Sequence, residues 1–345
     1  MTDNEHHVAL AGDKPLALIL GATGGVGGAV AKKLLANGYS VRAMHRNAAA
    51  NAVKSPEYDW VDGDAMNRDD VIKAAAGVEL IVHAVNPPGY RNWGKLVLPM
   101  IDNTIAAAEA SGARILMPGN VYNFGPETFG SIAEDSPQNP STVKGKVRVA
   151  LEERLAAAAR RGTQVILVRA GDFFGPGAGG SWFAQAVVKP GAPVKAITNP
   201  ADPGVGHQWA YLPDVAETMV QLVARADELP SFARFHMEGF WDHDGRQLAN
   251  AIRRVTGRAE LQLKRFPWWA LRLARPFVPV FREILEMRYL WQRELHMRND
   301  RLVAFLGAEP RTPIDQAVRE TLISLGCLDG QANTGPAGNL ALSAG

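Results

Sequence analysis

The sequence predicts an α/β fold, in which a doubly wound parallel sheet is accompanied by a smaller, helix-rich C-terminal lobe. Short apolar segments without polar alternation recur along the first 170 residues, as in strands that are buried on both faces. Segments with helical spacing of apolar residues separate them, and such βα repeats indicate a parallel sheet. Beyond Trp241 the composition changes, with 13 basic and 5 acidic residues between 246 and 301.

The predicted elements follow one another in a regular order. Strands are expected at residues 16–20, 40–45, 58–61, 80–84, 114–117 and 163–169. Helices are expected at residues 26–37, 67–76, 93–111, 143–161 and 213–226, several of them ended by glycine. A last strand is expected near residues 235–237. The segment 190–206 is too rich in proline and glycine for a long element.

Composition limits the class of protein. The chain has 345 residues, 47% of them hydrophobic, and a formal net charge of +2, which excludes disorder as the main state. No apolar run reaches the roughly 18 residues of a membrane span. The single cysteine, Cys327, excludes an internal disulfide. The balanced charge gives no reason to expect nucleic acid, and the polar N-terminus lacks a signal-peptide pattern, so we expect a cytoplasmic protein.

A glycine-rich loop follows the first strand. Gly21, Gly24 and Gly27 have the spacing of loops that bind dinucleotides, and they stand between a buried strand and a helix, as that function requires. The first glycine permits a tight turn, the second lets a diphosphate approach the backbone, and the third lets the helix pack on the sheet. The helix N-terminus would hold the phosphates. We predict a dinucleotide site here that also includes Thr23, Gly25 and Val26.

The end of the second strand bears on the choice of dinucleotide. An acidic residue there would bind a ribose 2′-hydroxyl, but this chain has His45-Arg46, with Arg42 earlier. Because a guanidinium pairs well with a 2′-phosphate, we predict NADP(H), with NAD(H) as the alternative. The other interpretation of Arg46 is a solvated surface arginine. Later strand ends supply further expected cofactor contacts: Asp64, Ala65, Ala84, Val85 and Asn86.

Motifs further along the chain extend this pattern: Gly63-Asp64, Val168-Arg169 before Gly175-Pro176-Gly177, and Trp209-Ala-Tyr-Leu-Pro-Asp214. With them the chain resembles the extended short-chain dehydrogenase/reductases, a family of NAD(P)-dependent epimerases, dehydratases and reductases, over roughly residues 16–325. The resemblance implies a Rossmann domain at 15–178, to which 207–238 return, and a substrate lobe formed by 179–206 and 239–329. An N-terminal tail at 1–14 and a disordered tail at 330–345 would flank them.

The family's catalytic residues are a Ser or Thr and a Tyr-x-x-x-Lys pair, and this chain departs from both. Asn120 stands at the hydroxyl position. Lys146 fits the lysine that binds the nicotinamide ribose, with Lys144 as the alternative, and this register puts Thr142 in the place of the tyrosine. An aliphatic hydroxyl ionises far above pH 7, so Thr142 cannot take over the proton transfer. Tyr122 is the expected substitute.

Other site residues are expected from the resemblance. Asp172 and Phe173 follow the sixth strand and would lie near the nicotinamide. Candidate substrate contacts are Asn86, Tyr90, Arg91 and Trp182. No metal-ligand spacing stands out, so we expect no metal.

The resemblance implies an NAD(P)-dependent oxidoreductase or epimerase that acts on a small hydroxyl or carbonyl substrate by hydride transfer. The alternative is a catalytically silent NADP-binding regulator or redox sensor, because the usual Tyr-x-x-x-Lys is missing. The expected partner is a small-molecule substrate, and a homodimer remains open. The segment 266–281 would cover the substrate cleft, form a subunit interface or rest on anionic lipid. Its prolines limit any membrane-lying helix to about two turns, so stable membrane insertion is not expected.

Overall fold

A seven-stranded parallel sheet is the scaffold of the first two-thirds of the chain, and its strand order is β10-β6-β5-β4-β1-β2-β3. The computed structural model describes residues 14–87 and 92–329. The tails, apart from residue 14, and the candidate contacts Tyr90 and Arg91 lie outside these ranges. The strands of this sheet are β1 (Leu16–Leu20), β2 (Ser40–His45), β3 (Asp59–Asp62), β4 (Leu80–His83), β5 (Arg114–Gly119), β6 (Val165–Arg169) and β10 (Phe232–His236).

Helices cover both faces of this sheet, as the doubly wound prediction requires. They are α1 (Gly25–Ala36), α2 (Ala48–Ala52), α3 (Arg68–Ala74), α4 (Trp93–Ser111), α5 (Val143–Arg160) and α6 (Leu212–Ala224). Helices α3, α4 and α5 pack together on one face, and α1 packs on α6 on the other. The central strands are buried almost throughout, because a strand between two helix layers has no solvent side. The predicted fold class is confirmed.

Two small sheets and five further α-helices are found in the described chain, together with short 3₁₀- and π-helical turns. One sheet has the order β11-β9-β7, from β7 (Asp172–Phe174), β9 (His207–Tyr211) and β11 (Phe240–Asp242). The other pairs β8 (Ile197–Asn199) with β12 (Leu263–Arg265). The remaining helices are α7 (Gln247–Thr256), α8 (Trp268–Ala274), α9 (Pro279–Glu286), α10 (Asp300–Leu306) and α11 (Ile314–Ser324). None of the short strands outside the main sheet was predicted, because they lie outside the βα repeat and mix polar with apolar residues, as in Asp172–Phe174 and Leu263–Arg265.

Only part of the segment 207–238 joins the Rossmann sheet, to which the whole segment was expected to return. β10 does return, and it pairs with β6 in parallel from Phe232 to His236. β9 instead joins the small sheet, where it pairs with β7 and β11. The segment therefore first contributes a strand to the small sheet and then supplies β10, an edge strand of the main sheet.

The main sheet and the C-terminal lobe are joined by hydrogen bonds. The buried side-chain amide of Gln208 in β9 donates to the carbonyl oxygens of Met237, Glu238 and Met297 at 2.9–3.1 Å. It also accepts from the Met297 N–H at 3.1 Å. Nearby, the N–H of Ile132 donates to the His296 carbonyl at 2.8 Å. The lobe is thus attached to the sheet through main-chain as well as side-chain groups.

The segment 266–281 has two different sides. Phe266 and Leu271 face the interior, and Trp268 is buried with its indole N–H donating to the Pro200 carbonyl at 2.8 Å. On the outer side, Trp269 and Phe277 are exposed. Among the described residues, no helix combines the length and the apolar content that crossing a membrane requires.

Candidate active site

A cleft of about 900 Å³ opens at the carboxyl ends of β1, β4, β5 and β6. The loop after each of these strands lines it, with residues 23–26, 84–87, 120–122 and 170–173. Successive strands run outward from β1 to one edge of the sheet and from β4 to the other. The boundary between β1 and β4 is therefore the topological switch point, where sheets of this type bind ligands.

The glycine loop after β1 is packed too closely for side chains. Gly21 has a φ of 97°, and a Cβ there would lie 2.6 Å from the carbonyl oxygen of Ala84. A Cβ on Gly27 would lie 2.2 Å from the carbonyl oxygen of Gly21, so α1 sits directly on the turn. The N-cap of α1, Gly24, supplies no side-chain acceptor. The first-turn N–H groups of a helix that opens on the cleft suit a cofactor diphosphate.

The two arginines of β2 have different environments. Arg42 pairs with Asp59 at 2.9 Å and donates to the carbonyl oxygens of Ala74 and Ala76, so it has a structural role. Arg46 follows the end of β2, next to the end of β1, and its side chain is exposed. The structure therefore leaves Arg46, rather than Arg42, as the candidate for a 2′-phosphate.

The loop after β3 lies outside the cleft lining. The Asp64 carboxylate accepts from the N–H of Met66 at 3.0 Å, and the Ala65 carbonyl accepts from the Asn103 side chain at 2.9 Å. These bonds fix the loop beside α4. Asp64 and Ala65 are not among the cleft-lining residues, but their loop lies beside the end of β2, where the Gly63 N–H donates to the His45 carbonyl at 3.3 Å, next to Arg46.

The loop after β5 places Asn120 and Tyr122 on the cleft. The Asn120 side chain accepts from the N–H of Tyr122 at 3.0 Å, which shapes the loop. The Tyr122 ring is mostly buried and packs at 6.2 Å, centroid to centroid, from Trp93. Asn120 is thus a loop-forming residue that also reaches the cleft.

Helix α5 presents other residues to the cleft than the sequence predicts. Thr142 is its N-cap and accepts from the N–H of Gly145 at 3.0 Å. Lys146 is exposed and does not line the cleft, whereas Arg148 does. Two residues along a helix correspond to about 200°, so Lys146 and Arg148 lie on opposite faces.

The alternative lysine, Lys144, is buried and forms ion pairs with Glu283 and Glu286 of α9. It joins the Rossmann half to the C-terminal lobe and does not line the cleft. Arg148 donates to the Asn86 side chain at 3.4 Å, and its guanidinium lies 4.8 Å from the ring centroid of Trp93. Arg148 is therefore the cation that α5 brings to the cleft.

Asp172 and His207 form a pair on the cleft lining that the sequence analysis missed. Asp172 Oδ2 lies 2.8 Å from His207 Nε2, and both side chains are largely buried. The imidazole stacks on Trp291 with ring centroids 3.7 Å apart. The ring is thus held by a carboxylate and by an aromatic face. Because 35 residues separate the two side chains, only the pairing of β7 with β9 brings them together.

The part of the chain that carries the glycine loop is similar in sequence to known proteins. Residues 21–172 match a family model described as NAD(P)H-binding. These residues form an NAD(P)H-binding domain. The chain is also 26% identical, over 183 residues, to an uncharacterized protein from Sinorhizobium fredii, strain NBRC 101917 / NGR234. The match covers 47% of this chain and 51% of that protein, so the chain spans about half the length of this curated relative.

Solved structures extend the likeness to the whole described fold. A UDP-N-acetylglucosamine 4-epimerase from Bacillus cereus is 15% identical, with a TM-score of 0.67 and coverage of 92% of this chain and 99% of that one. A dTDP-glucose 4,6-dehydratase from Streptomyces venezuelae, solved with NAD bound, is 16% identical, with a TM-score of 0.67 and coverage of 90% and 96%. The resemblance to the extended short-chain dehydrogenase/reductases is confirmed for the fold and for the NAD(P)H-binding domain.

Most of the residues expected at the cofactor and catalytic sites meet on the cleft of this NAD(P)H-binding domain. Those that line it are Thr23, Gly24, Gly25, Val26, Ala84, Val85, Asn86, Asn120, Tyr122, Asp172 and Phe173. Gly21 and Gly27 lie beneath the loop, and Arg46, Asp64, Ala65, Thr142 and Lys146 lie away from the lining. The arrangement fits a dinucleotide that lies across the strand ends.

His83, at the end of β4, is a second histidine on the cleft lining. It is 2% exposed, and its Nδ1 lies 2.7 Å from the hydroxyl of Thr104. Burial, aided by the positive charge of Arg148, lowers its pKa from 6.5 to about 3. The ring is therefore neutral at physiological pH. Within the described residues, no group of three His, Cys, Asp or Glu side chains is arranged to hold a metal ion.

Proposed function

We propose that the chain is an NAD(P)-dependent oxidoreductase or epimerase that acts on the hydroxyl or carbonyl group of a small molecule. The observation that supports this most directly is that one cleft is shared by two sets of residues. The glycine loop contributes residues 24–26 to it, and Tyr122, Asp172 and His207 contribute groups that can exchange protons. When bound, the nicotinamide supplies the hydride acceptor or donor, and the protein must handle the proton of the substrate oxygen.

Two side chains are candidates for that proton. Tyr122 lies on the cleft, and its phenol can act as a general acid or base where a neighbouring cation stabilises the phenolate. His207 carries an imidazole, the group that most often acts as a general acid or base, and Asp172 holds its Nε2. In the tautomer in which Nε2 donates to Asp172, Nδ1 is an acceptor and can take a proton from a substrate hydroxyl. The geometry favours His207 as the second candidate beside Tyr122.

The cofactor contacts are proposed in the same terms. The first turn of α1 would hold the diphosphate, Arg46 would favour NADP(H) over NAD(H), and Arg148 would take the place expected for Lys146. Titration of NADPH and NADH by nicotinamide fluorescence tests the site. Arg148→Met should weaken cofactor binding, and Lys146→Met, which removes the same charge from the exposed face of α5, is the matched control.

Turnover is tested with a panel of aldehydes and ketones followed by nicotinamide absorbance. Loss of the general acid or base should lower turnover roughly 100- to 10,000-fold while cofactor affinity stays unchanged. Comparing Tyr122→Phe with His207→Gln identifies which side chain does this. Cofactor binding without turnover of any substrate would support the catalytically silent sensor instead.

A further inference from the structure

The part of the lobe beyond residue 240 lines the cleft with apolar side chains from separate segments of the chain. Phe266 precedes α8 and Leu271 belongs to it, Phe281 and Ile284 belong to α9, and Leu290 and Leu295 follow α9. All six face the same cavity as the glycine loop. Every side chain that the chain beyond residue 240 contributes to this lining is apolar.

The charged side chains of the basic region 246–301 do not line this cleft. Arg272, Arg275 and Arg288 line a separate, smaller groove. Glu283 and Glu286 of α9 are paired with Lys144, so this cluster of three carries a net negative charge. In the ranges 14–87 and 92–329, Arg148 is the only arginine or lysine on the lining of the large cleft.

This distribution bears on which substrates the cleft would accept. A nucleoside diphosphate carries at least two negative charges, which proteins meet with arginines, lysines or helix N-termini. In this cleft, the N-terminus of α1 is already assigned to the cofactor diphosphate. An uncharged, apolar molecule would instead be buried against these apolar side chains, with a few polar groups to orient its oxygen.

We infer that the substrate is an uncharged, largely apolar alcohol or ketone, whose oxygen faces Tyr122, Asp172 and His207 and whose hydrocarbon part lies against the lobe wall. The inference rests on the proposed function, because it assigns a substrate class to the same cleft. Its physical signature is a dependence of affinity on hydrocarbon length. Each buried methylene should strengthen binding about fourfold until the wall is covered.

The test is calorimetric binding of 2-pentanone, 2-heptanone, 2-nonanone and 2-undecanone to the full chain saturated with NADP⁺, with UDP-glucose as the charged comparison. Affinity should rise about 10- to 16-fold for every two methylenes over the first members, and UDP-glucose should bind more weakly than 2-nonanone. Quenching of tryptophan fluorescence gives a second readout, since Trp182 and Trp291 adjoin the wall.

Helix α8 offers a matched pair of variants. Leu271 lines the cleft, while Leu273 is 70% exposed on the outer side of the same helix. Leu271→Asn should weaken binding of 2-nonanone about tenfold or more, and Leu273→Asn should leave it within twofold. Both should keep the wild-type affinity for NADPH.

The outcomes separate this inference from the proposed function. Failure of the chain to bind NADPH or NADH would refute the proposed function. If the cofactor binds but ketone affinity does not change with chain length, if no ketone binds, or if UDP-glucose binds more tightly than every ketone, the apolar substrate class is wrong. Equal effects of Leu271→Asn and Leu273→Asn would also contradict it.

Discussion

Replacement of Arg46 by alanine should reduce the preference for NADPH over NADH. Arg46 follows β2 next to the glycine loop, and its side chain is exposed. A charge-assisted hydrogen bond contributes about 1.5–3 kcal/mol, whereas an exposed ion pair contributes about 0.2–1 kcal/mol. A guanidinium that meets a 2′-phosphate in solvent lies between these ranges, at about 1.4 kcal/mol, or about tenfold in affinity.

The assay is parallel fluorescence titration of NADPH and NADH. The ratio of the two dissociation constants should fall about tenfold in Arg46→Ala, while the NADH constant changes little. Lys54→Ala is the control, because Lys54 is exposed just beyond α2 and its removal changes the net charge equally. Added salt should weaken NADPH binding more in the wild type than in Arg46→Ala. An unchanged ratio in Arg46→Ala would show that another group sets the preference.

Three further predictions concern stability. Glu152→Gln removes the carboxylate that pairs with the fully buried Arg169, and urea unfolding should show that the free energy of unfolding falls by about 3–5 kcal/mol. Glu153 is exposed, so Glu153→Gln should lower it by less than about 0.5 kcal/mol, and equal losses in the two variants would refute the argument. Because the pKa of His83 is about 3 in the fold and its ordinary value is 6.5, the unfolded chain binds a proton first as pH falls. The stability that neutral His83 contributes should therefore be lost below pH 6.5, by up to about 1.4 kcal/mol per pH unit; His83→Gln should show a shallower pH slope than the wild type, and an identical slope would contradict the assignment. Gly27→Ala should cost about 1–3 kcal/mol in the same assay, because the added methyl meets the turn beneath α1, and wild-type stability would mean that the turn can relax.

The main sheet could be predicted because its strands are uninterrupted apolar segments between helices with clear ends. The segment 16–20 needed no information from elsewhere in the chain, and neither did the glycine loop that follows it. The small sheet of β7, β9 and β11 could not be predicted in this way. Its strands mix polar with apolar residues, and their pairing depends on long-range contacts that a local pattern does not contain.

The site residues in the loops that follow strands could be predicted from the sequence. The site residues whose position depends on which face of a helix they occupy, or on contacts between distant segments, were harder to predict. The apolar pattern of α5 does indicate which of its residues face the interior. Leu151 and Leu155 are buried, and counting back in steps of three and four from them points to residues 144, 147 and 148, not to Lys146. The Asp172–His207 pair offered no such signal, because only the register of two short strands makes the two side chains neighbours.

The hydrogen bonds between the lobe and the sheet determine how the chain can be divided. Residues 294–298 run beside 130–132, where they accept from the N–H groups of Gly130 and Ile132 and donate to the Ile132 carbonyl. A fragment that stops after β11 would lose these hydrogen bonds, each of which contributes about 0.5–1.5 kcal/mol to stability. It would also expose the core that Met297 and Trp291 close. Limited proteolysis should therefore not release a folded NAD(P)H-binding fragment, and the two halves should unfold in a single transition.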